Sequence, residues 1–403
     1  MLILRALIVT LQIIFFFYLL LPLFLLIIHY IKKFFAPFKS PLLNKTKIDK
    51  EFSFAIVLTA HEDEKNIPPF VDSLLKQSYQ NFHVYVVADA CDISNLNYDD
   101  TRISILKPEI PLNAKIKSLK FAIDHMLPDH DVVIVFDADN LLHPNYLSVL
   151  NQYFRMGYLA VQSHMYSKNT KSTYAKLDTI GHVYYNFTER QMPMELGLSA
   201  HTLGLGIAVD KTLFVSMIYK DALGGFDKKM QADLVLKTPQ IAFASEAIVY
   251  DEKVDDGKTL EKQRTRWIFT YFHYFKYNAN LILQGLKHFN FNWFYFGVTC
   301  LKPPLFILLG ATFLLGLLDI WIYLPGALLT ASVIFFYVLT FILIIITQSK
   351  QKGVASGLLY LPKFVFRQML ALVKIKKATK SFLKTDHNVI VYIDDILKDE
   401  SNH

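Results

Sequence analysis

Cysteine is scarce in this sequence, with only Cys91 and Cys300 in 403 residues. Cys300 lies beside a long apolar run, so a disulfide framework is excluded and a reducing compartment is compatible with the chain. Internal repeats and low-complexity tracts outside the apolar runs are also missing. No lysine or arginine occurs between Lys302 and Lys350, although the formal net charge is +7. Because the basic residues crowd beside apolar runs, their excess indicates a membrane protein and no nucleic-acid partner.

Long apolar runs are what the chain has in abundance, and 53% of its residues are hydrophobic. The first run covers 2–31, is followed by Lys32, and lacks a cleavage site of small residues. We therefore expect a retained transmembrane helix rather than a signal peptide. Two further runs, Pro303–Leu324 and Ala327–Thr347, are each long enough to cross a bilayer. The basic residues that flank these runs predict that the large domain between them faces the cytosol.

Two stretches mix aromatic, apolar and basic residues in the manner of helices that lie in the membrane interface, Phe272–Phe291 and Tyr360–Lys377. The last residues, Asp394–His403, form a charged tail. The chain thus divides into five segments. These are a transmembrane helix with a basic linker (1–50), an α/β domain (51–271), an interfacial helix (272–302), a transmembrane hairpin (303–350), and an amphipathic interfacial helix with the tail (351–403).

Between the first and second apolar runs, short β-branched stretches alternate with helix-like ones. This alternation predicts a mainly parallel sheet covered by helices on both faces. Ligands bind at the carboxyl ends of the strands in such sheets, so polar residues that follow strands are the candidates for a site. The predicted strands are Phe54–Leu58, His83–Val87, Ile103–Leu106 and Val132–Phe136, and the predicted helices lie around Pro68–Gln77 and Ala114–Met126.

The triplet Asp137-Ala138-Asp139 follows the apolar strand Val132–Phe136 directly. Two carboxylates two residues apart at a strand end can share a divalent cation and the diphosphate it carries. Hard Mg²⁺ or Mn²⁺ suits such oxygen ligands. Solvated turns also contain such triplets, but the position of this one after a buried strand favours a metal site.

A second motif, Gln263-Arg264-Thr265-Arg266-Trp267, lies close before the membrane hairpin. Arg266 could hold a phosphate with two hydrogen bonds, and Trp267 could offer a flat face to a sugar or a base. The alternative interpretation is a basic and aromatic belt at the membrane boundary.

A third motif begins with Gly224-Gly225-Phe226 and is expected to place Asp233 at the start of a helix. A carboxylate there can be partly shielded and ready to take a proton. Alternatively, Asp233 is an ordinary acid that the helix dipole favours at an amino terminus.

In this order, and with Ala60-His61-Glu62-Asp63 after the first strand and Ala88-Asp89 after the second, the motifs resemble those of the family 2 glycosyltransferases, which have the GT-A fold. Within that family they are similar to the membrane-integrated group of cellulose, hyaluronan and poly-N-acetylglucosamine synthases. The resemblance covers Phe52 to Trp267. It implies an inverting, metal-dependent transfer of a sugar from a UDP-sugar or other nucleotide-diphosphate sugar to a membrane-associated acceptor. The acceptor would be lipid-linked or a polysaccharide, and the enzyme would serve cell-envelope polysaccharide synthesis at the inner (plasma) membrane.

The resemblance also implies a role for each matching residue, from the nucleoside at one end of the site to the acceptor at the other. The implied roles are nucleotide binding for His61, Asp63 and Asp89, contact with the diphosphate for Lys117, metal binding for Asp137 and Asp139, general-base catalysis for Asp233, closure over the pyrophosphate and acceptor for Gln263, Arg266 and Trp267, and a loop facing the acceptor for Gly204.

Simpler interpretations stay open for several of these residues. His61 could be an ordinary loop histidine, and Lys117 shares its predicted helix with Lys115 and could belong to a solvated face. Gly204 could mark only a turn. Lys302 could extend towards water at the membrane boundary, or it could line a passage for the acceptor.

The sequence departs from the family at the base motif, where Ala232 stands in place of the usual glutamate. This departure favours an alternative, a non-catalytic GT-A-like membrane subunit of a polysaccharide synthesis complex, which the other retained motif residues argue against. Three spans are few for a polymer channel unless the chain forms a homo-oligomer, so processive and single addition both stay open. A nucleotidyltransferase is excluded because Leu58–Pro69 is acidic and lacks glycine.

Overall fold

A computed structural model describes residues 2–35, 48–218, 225–361, 365 and 389–401 of the chain. The α/β domain is built on one eight-stranded sheet. Its strands are β1 (Phe54–His61), β2 (Phe82–Asp89), β3 (Ile103–Leu106), β4 (Val132–Asp137), β5 (Leu141–Leu142), β6 (Ala160–Ser167), β7 (Ile207–Asp210) and β8 (Ala242–Asp251).

The described helices surround this sheet and extend beyond it. They are α1 (Leu2–Phe35), α2 (Ile67–Leu75), α3 (Lys115–Asp124), α4 (Tyr146–Arg155), α5 (Thr173–Tyr185), α6 (Met192–Glu195), α7 (Lys211–Val215), α8 (Phe226–Lys237), α9 (Gly257–His273), α10 (Phe275–Lys287), α11 (Phe291–Cys300), α12 (Leu305–Ile322), α13 (Leu324–Gln348) and α14 (Ile393–Ser401), with a π-helical turn (Asn186–Gln191) between α5 and α6 and 3₁₀ turns at Glu64–Asn66 and Val354–Tyr360.

The strand order is β3-β2-β1-β4-β7-β6-β8-β5. All four predicted strands are present, and β1 to β4 pair in parallel as expected. The sheet is mainly parallel as predicted, but β7 runs antiparallel to both β4 and β6, and the short edge strand β5 runs antiparallel to β8, so the sheet as a whole is mixed. The chain enters β7 from Gly206, beside Val135 near the carboxyl end of β4, so β7 must run back along β4.

Alternation along the strands divides the apolar residues between two cores. Ile56 and Leu58 of β1 face a core that includes α2 and α4. Ala55 and Val57 face the opposite core, which includes α3, α8, α10 and α11. Successive side chains of a strand point to opposite faces, so both faces of β1 are buried, as expected for a central strand covered by helices on both sides.

One of the two predicted interfacial segments differs from the structure, and the other lies mostly outside the described residues. The stretch Phe272–Phe291 is not one helix but covers the end of α9, all of α10 and the first residue of α11. Leu281 and Phe296 of these helices are fully buried in the second core, so α10 and α11 pack onto the α/β domain. Of the second predicted interfacial helix, Tyr360–Lys377, nearly all residues lie outside the described part of the chain.

The predicted charged tail is also more ordered than the sequence indicates. It forms α14, whose first residue, Ile393, is buried against Leu141 and Tyr250. Asp394 of α14 pairs with Lys76 at 2.8 Å. The apolar anchor Ile393 lies just before the predicted tail, which explains why charge alone did not reveal a docked helix.

Three described helices are long and apolar enough to cross a membrane, namely α1, α12 and α13. A polar contact joins them where apolar packing would be expected. The amide nitrogen of Gln12 in α1 donates to Asp319 Oδ2 in α12 at 2.6 Å and to Thr330 Oγ1 in α13 at 3.2 Å. Gln12 and Asp319 are both buried. This contact therefore fixes the rotation of α1 against the hairpin formed by α12 and α13.

We expect Gln12→Leu to lower the midpoint of thermal unfolding of the detergent-purified protein by roughly 2 °C. The substitution removes interhelical hydrogen bonds worth roughly 0.6–1.7 kcal/mol in membrane proteins. Thr10→Leu is the control, because Thr10 is exposed and its hydroxyl bonds only within α1, to Ala6 O. An unchanged midpoint in Gln12→Leu would mean that the contact does not stabilise the three-helix unit.

Candidate active site

The carboxyl ends of β1, β2 and β4 lie side by side at one edge of the sheet, because these strands are parallel neighbours. The pairing sets His61 at the end of β1 beside Asp89 at the end of β2. It sets Thr59 of β1 beside Asp137 at the end of β4. Ligands of parallel α/β sheets bind beyond this edge. The fold thus brings together three predicted site residues that lie on separate strands.

Asp89 is the most tightly held of the predicted site residues. It is buried, and its two carboxylate oxygens accept backbone hydrogen bonds from Leu112 at 2.8 Å and Asn113 at 2.9 Å. Oδ2 also lies 2.9 Å from His61 Nδ1. Asp89 therefore orders the loop before α3 and orients the His61 ring at the position expected for the nucleotide.

The backbone around Asp89 holds an unusual conformation at three non-glycine residues. Glu62, Ala90 and Asn113 have positive φ angles of 51°, 54° and 53°. Each follows or faces a strand end at the candidate site. Left-handed backbone at non-glycine residues costs of order 1–3 kcal/mol each and persists where the surrounding structure over-determines it. Such strain often occurs at binding sites, and here it lies at the strand ends that form the candidate site.

Asp137 is bound by a lysine of α3. Lys115 Nζ lies 2.6 Å from Asp137 Oδ1 and donates to Gly204 O at 2.9 Å. Asp137 remains 41% exposed at its side chain, so the pair opens to solvent. Lys117, which the resemblance assigned to the diphosphate, is exposed on α3. Lys115 is the lysine that the structure places in the site.

The spacing within α3 contains the signal that would have selected Lys115. Ser118 and Leu119 are buried, and they lie three and four residues after Lys115, on the same face of the helix. Lys117 and Lys120 fall on the exposed face. The helical period alone therefore points to Lys115 as the inward lysine.

Asp139, the second acid of the triplet, is buried and lies in a turn that Asn140 stabilises. The Asn140 side chain accepts from Asp137 N at 3.1 Å and donates to Asp251 Oδ1 at 3.0 Å. Lys168 Nζ donates to the backbone carbonyl of Asp139 at 3.2 Å. Burial lowers the pKa of Lys168, and the charges of Asp139, Glu252, Asp251 and Asp63 oppose that shift. Lys168 thus lies among several carboxylates at this edge.

The acids at this edge fit a divalent cation in their chemistry. Asp137 and Asp139 supply carboxylate oxygens, the ligands that Mg²⁺ and Mn²⁺ prefer, and Asp137 is open enough to be reached. Among the residues described, no three His, Cys, Asp or Glu side chains converge into a ready cage. Two protein carboxylates leave the remaining positions to a diphosphate, which suits a cation that arrives with its substrate. Asp63 is turned towards α2, where both its oxygens accept from the Asn66 amide.

Helix α9 carries the second motif to the same edge. Burial lowers the pKa of the Arg266 guanidinium, and the charges of Asp137 and Asp227 oppose that shift. Arg266 therefore lies within electrostatic reach of both carboxylates. The side-chain oxygen of Gln263 is buried and, among the described residues, has no hydrogen-bond partner.

Trp267 is held in place by the other arginine of the motif. The Arg264 guanidinium lies 4.3 Å from the centre of the Trp267 ring, and Arg264 also pairs with the buried Asp178 of α5. The His182 ring meets Trp267 edge-on at 6.4 Å. One indole face is therefore covered, while 39% of the residue stays exposed. Sequence reasoning did not single out Arg264 or Asp178, whose role is to orient Trp267.

Asp233 does not lie at the start of a helix as expected, since α8 begins at Phe226 and Asp233 is its eighth residue. The acid in the first turn of α8 is Asp227. Gly225, the residue just before α8, has a φ angle of +78°. A Cβ at this position would clash with Thr270 Cγ2, so only glycine fits at the start of the helix. A Cβ built on Gly204 would lie 3.7 Å from Asp227 Cγ. The first turn of α8 thus places Asp227 beside the loop that also contacts Lys115.

Ala232, the departure from the family pattern, lies away from this edge. It is buried in the second apolar core together with Met230, Leu234 and Val235. A glutamate at this position would bury a charge without a partner. Because α8 begins seven residues before Asp233, position 232 faces the core, and this accounts for the alanine.

Comparisons with known proteins agree with this architecture. The family model "Glycosyltransferase like family 2" matches residues 52–270. No curated protein sequence matches the chain. A mannosyltransferase from Pyrobaculum calidifontis, solved in complex with GDP-mannose and Mn²⁺, covers 92% of this chain and 100% of its own, with a TM-score of 0.52 and 14% identity.

A second solved structure, S. aureus TarS in complex with UDP-GlcNAc, covers 54% of this chain and 66% of its own, with a TM-score of 0.37 and 14% identity. At such identities a structural likeness shows the fold alone, and the GT-A fold class is confirmed by the mannosyltransferase. Since the family model covers more than half of the sequence and the expected strands and helices are in place, the chain belongs to the glycosyltransferase-like family 2.

Proposed function

We propose that the chain transfers a sugar, with inversion, from a nucleotide-diphosphate sugar to a membrane-associated acceptor that is lipid-linked or a polysaccharide. The observation that carries the proposal is one group of side chains at the carboxyl edge of the sheet. Lys115 pairs with Asp137 at 2.6 Å, and Arg266 lies within electrostatic reach of Asp137 and Asp227. Basic side chains that can bind a diphosphate thus lie beside an acidic side chain that can take a proton from an acceptor.

The donor half of this proposal rests on the strand ends. Asp89 and His61 shape the position of the nucleoside, and Asp137 and Asp139 would hold Mg²⁺ or Mn²⁺, which neutralises diphosphate charge when bound. The Pyrobaculum mannosyltransferase, which has the same fold, binds GDP-mannose with Mn²⁺. By analogy we propose a nucleotide sugar for this chain, with a UDP-sugar as the first class to test.

The chain's own residues supply the remaining steps. Lys115 and Arg266 bring positive charge to the leaving diphosphate in a partly shielded site, where such charge is more effective than in water. Asp227 takes the proton of the acceptor hydroxyl as its oxygen attacks the anomeric carbon. The diphosphate departs from the opposite face, so the configuration at that carbon inverts. Trp267, oriented by Arg264, offers its exposed face to the acceptor.

A non-catalytic subunit is the second candidate, and Ala232 was its only support. Ala232 is buried in the apolar core. Because it lies away from the strand ends, its presence removes nothing from the group of acidic and basic side chains described above. We therefore place the transferase first.

We further propose that the catalytic domain faces the cytosol at the inner (plasma) membrane. The carboxyl end of α1 is basic and is bound to this domain, since His29 Nδ1 lies 2.9 Å from Glu195 Oε2 and Lys32 Nζ donates to Glu195 O at 2.5 Å. Lys302 lies at the start of the hairpin, on the same side as the basic end of α1. Basic residues collect on the cytosolic side of spans.

Asp139→Ala should abolish metal-dependent donor turnover. We expect nucleotide release from a panel of UDP- and GDP-sugars in Mn²⁺ to fall roughly 100-fold or more, since even outer residues of metal sites contribute 10–100-fold. Chelation of the wild-type protein with EDTA should have the same effect. Asp124→Ala is the control, because Asp124 pairs only with Lys120 on the exposed face of α3. Release that is equal in Asp139→Ala and wild type would contradict the donor site.

Asp227→Asn and Asp233→Asn separate the two candidate bases on α8. Loss of a general base lowers the turnover rate roughly 10²–10⁴-fold. We expect that loss in Asp227→Asn, with the donor KM nearly unchanged, and a change of only a few-fold in Asp233→Asn. The reverse order would assign the base to Asp233, as the resemblance implied, and would show that α8 shifts when substrates bind.

A further inference from the structure

A buried ionic cluster lies where the catalytic domain meets the membrane hairpin, away from the donor side of the site. We call Glu189, His201 and Lys302 the junction cluster. Lys302 Nζ lies 2.5 Å from Glu189 Oε1, and His201 Nδ1 lies 3.4 Å from Glu189 Oε2. The three side chains are 15%, 17% and 9% exposed in the order Lys302, Glu189, His201. The small residual exposure shows that the cluster is largely shielded from solvent.

The backbone that carries Glu189 has an unusual helical geometry. It lies in the π-helical turn Asn186–Gln191, inside a helical stretch that runs from α5 into α6. A π turn is rare, and such turns occur often at functional sites. Tyr184 and Tyr185, just before the turn, place their rings 5.9 Å and 5.0 Å from Lys302 Nζ.

Both members of the central pair are charged. Burial would lower the pKa of Lys302, but the interactions with Glu189, Tyr184 and Tyr185 together outweigh it and raise that pKa above its usual value. Burial would likewise raise the pKa of Glu189, and Lys302 with His201 lowers it instead. A buried ion pair loses the hydration of both ions, so it stabilises a fold no better than apolar residues of the same volume. Its presence at this position therefore indicates a function other than stability.

Positive charge is in excess around the pair. Arg190, next to Glu189, is buried and donates to Asn186 Oδ1, while its Nε has no partner among the described residues. The charge of Lys228 on α8 acts on His201. Lys302 and Arg190 thus bring two positive charges to the single carboxylate of Glu189, and this excess suits an anion.

The cluster lies between the membrane boundary and the first turn of α8. Lys302 is followed by Pro303-Pro304 and then by α12, a candidate span. On the other side, the amide of Gln231 in α8 donates to Cys300 Sγ at 3.4 Å, and its buried oxygen has no partner within the described chain. Gln231 lies one turn after Asp227 on the same face of α8, so a molecule held at the cluster would point towards Asp227.

We propose that the junction cluster binds the phosphate of a lipid-linked acceptor, with Lys302 holding the phosphate and Glu189 releasing Lys302 to it. The inference rests on the proposed transferase and names its acceptor class. An anion at the membrane boundary would set the acceptor hydroxyl beside Asp227, while its lipid chain stays in the bilayer. Charge-assisted hydrogen bonds from lysine to phosphate supply the recognition.

Binding of decaprenyl phosphate to the detergent-purified full chain tests this without donor or turnover. Decaprenol and inorganic phosphate are the comparison ligands, and tryptophan fluorescence is the readout. We expect decaprenyl phosphate to bind, Lys302→Gln to weaken it roughly tenfold or more, and Lys302→Arg to restore most of the affinity. Lys352→Gln, an exposed lysine beyond α13, is the matched control and should bind as wild type does.

Glu189→Gln distinguishes a binding site from a structural ion pair. It frees Lys302 from its competitor, so we expect decaprenyl phosphate to bind at least as tightly as to wild type. Equal weakening in Glu189→Gln and Lys302→Gln would overturn the proposal, as would equal affinity for decaprenol. Equally tight binding of inorganic phosphate and decaprenyl phosphate would also overturn the proposal, because the site would then recognise free phosphate. Since no donor is present, failure here leaves the nucleotide-release test of the transferase unaffected.

Discussion

The parallel pairing of β1 with both β2 and β4 is the constraint on which the donor side of the site depends. It fixes the spacing of His61, Asp89 and Asp137, because each ends its strand at the same edge. The register is itself fixed by burial, since β1 is buried on both faces and a slip of one residue would exchange the two apolar sets. Only a framework this rigid tolerates the left-handed backbone at Glu62 and Ala90.

Charge compensation is the second organising feature of the molecule. Several buried or half-buried acids stand beside a lysine or an arginine, as Asp137 does with Lys115, Asp251 with Lys253 and Asp178 with Arg264. Arranged in this way, the charges keep the folded chain stable while the site has no ligand. Under the proposed function, a diphosphate and its cation would take over the same groups with little reorganisation.

The membrane helices and the catalytic domain are joined by polar contacts rather than by a simple linker. Tyr18 of α1 donates to Val298 O at 3.0 Å, and Tyr271 of α9 donates to Leu301 O at 2.8 Å. Both contacts hold the residues that lead into Lys302. The helix that carries Arg266 and Trp267 is thereby tied to the same short segment as the long apolar helix α1, so the candidate site and the long apolar helices keep a fixed relation.

Much of this architecture can be predicted from local patterns of the sequence. The apolar strands, the helices between them, the three long apolar helices and the Asp137-Ala138-Asp139 triplet follow from periodicity and from polar residues at strand ends. The family follows from the order of the motifs. These features are local, because they depend on neighbours within one strand, one helix or one turn.

What only the tertiary structure decided depends on where helices begin and which way their faces turn. The helical period turns Lys115 inward, but its contact with Asp137 depends on how α3 packs with its Leu119 face on the sheet. Asp227 rather than Asp233 opens α8, and Ala232 falls in the core. The pairing of Glu189 with Lys302 joins residues 113 positions apart. Motif spacing reports separation along the chain, whereas these contacts follow from packing between elements, and for that reason the sequence by itself left them open.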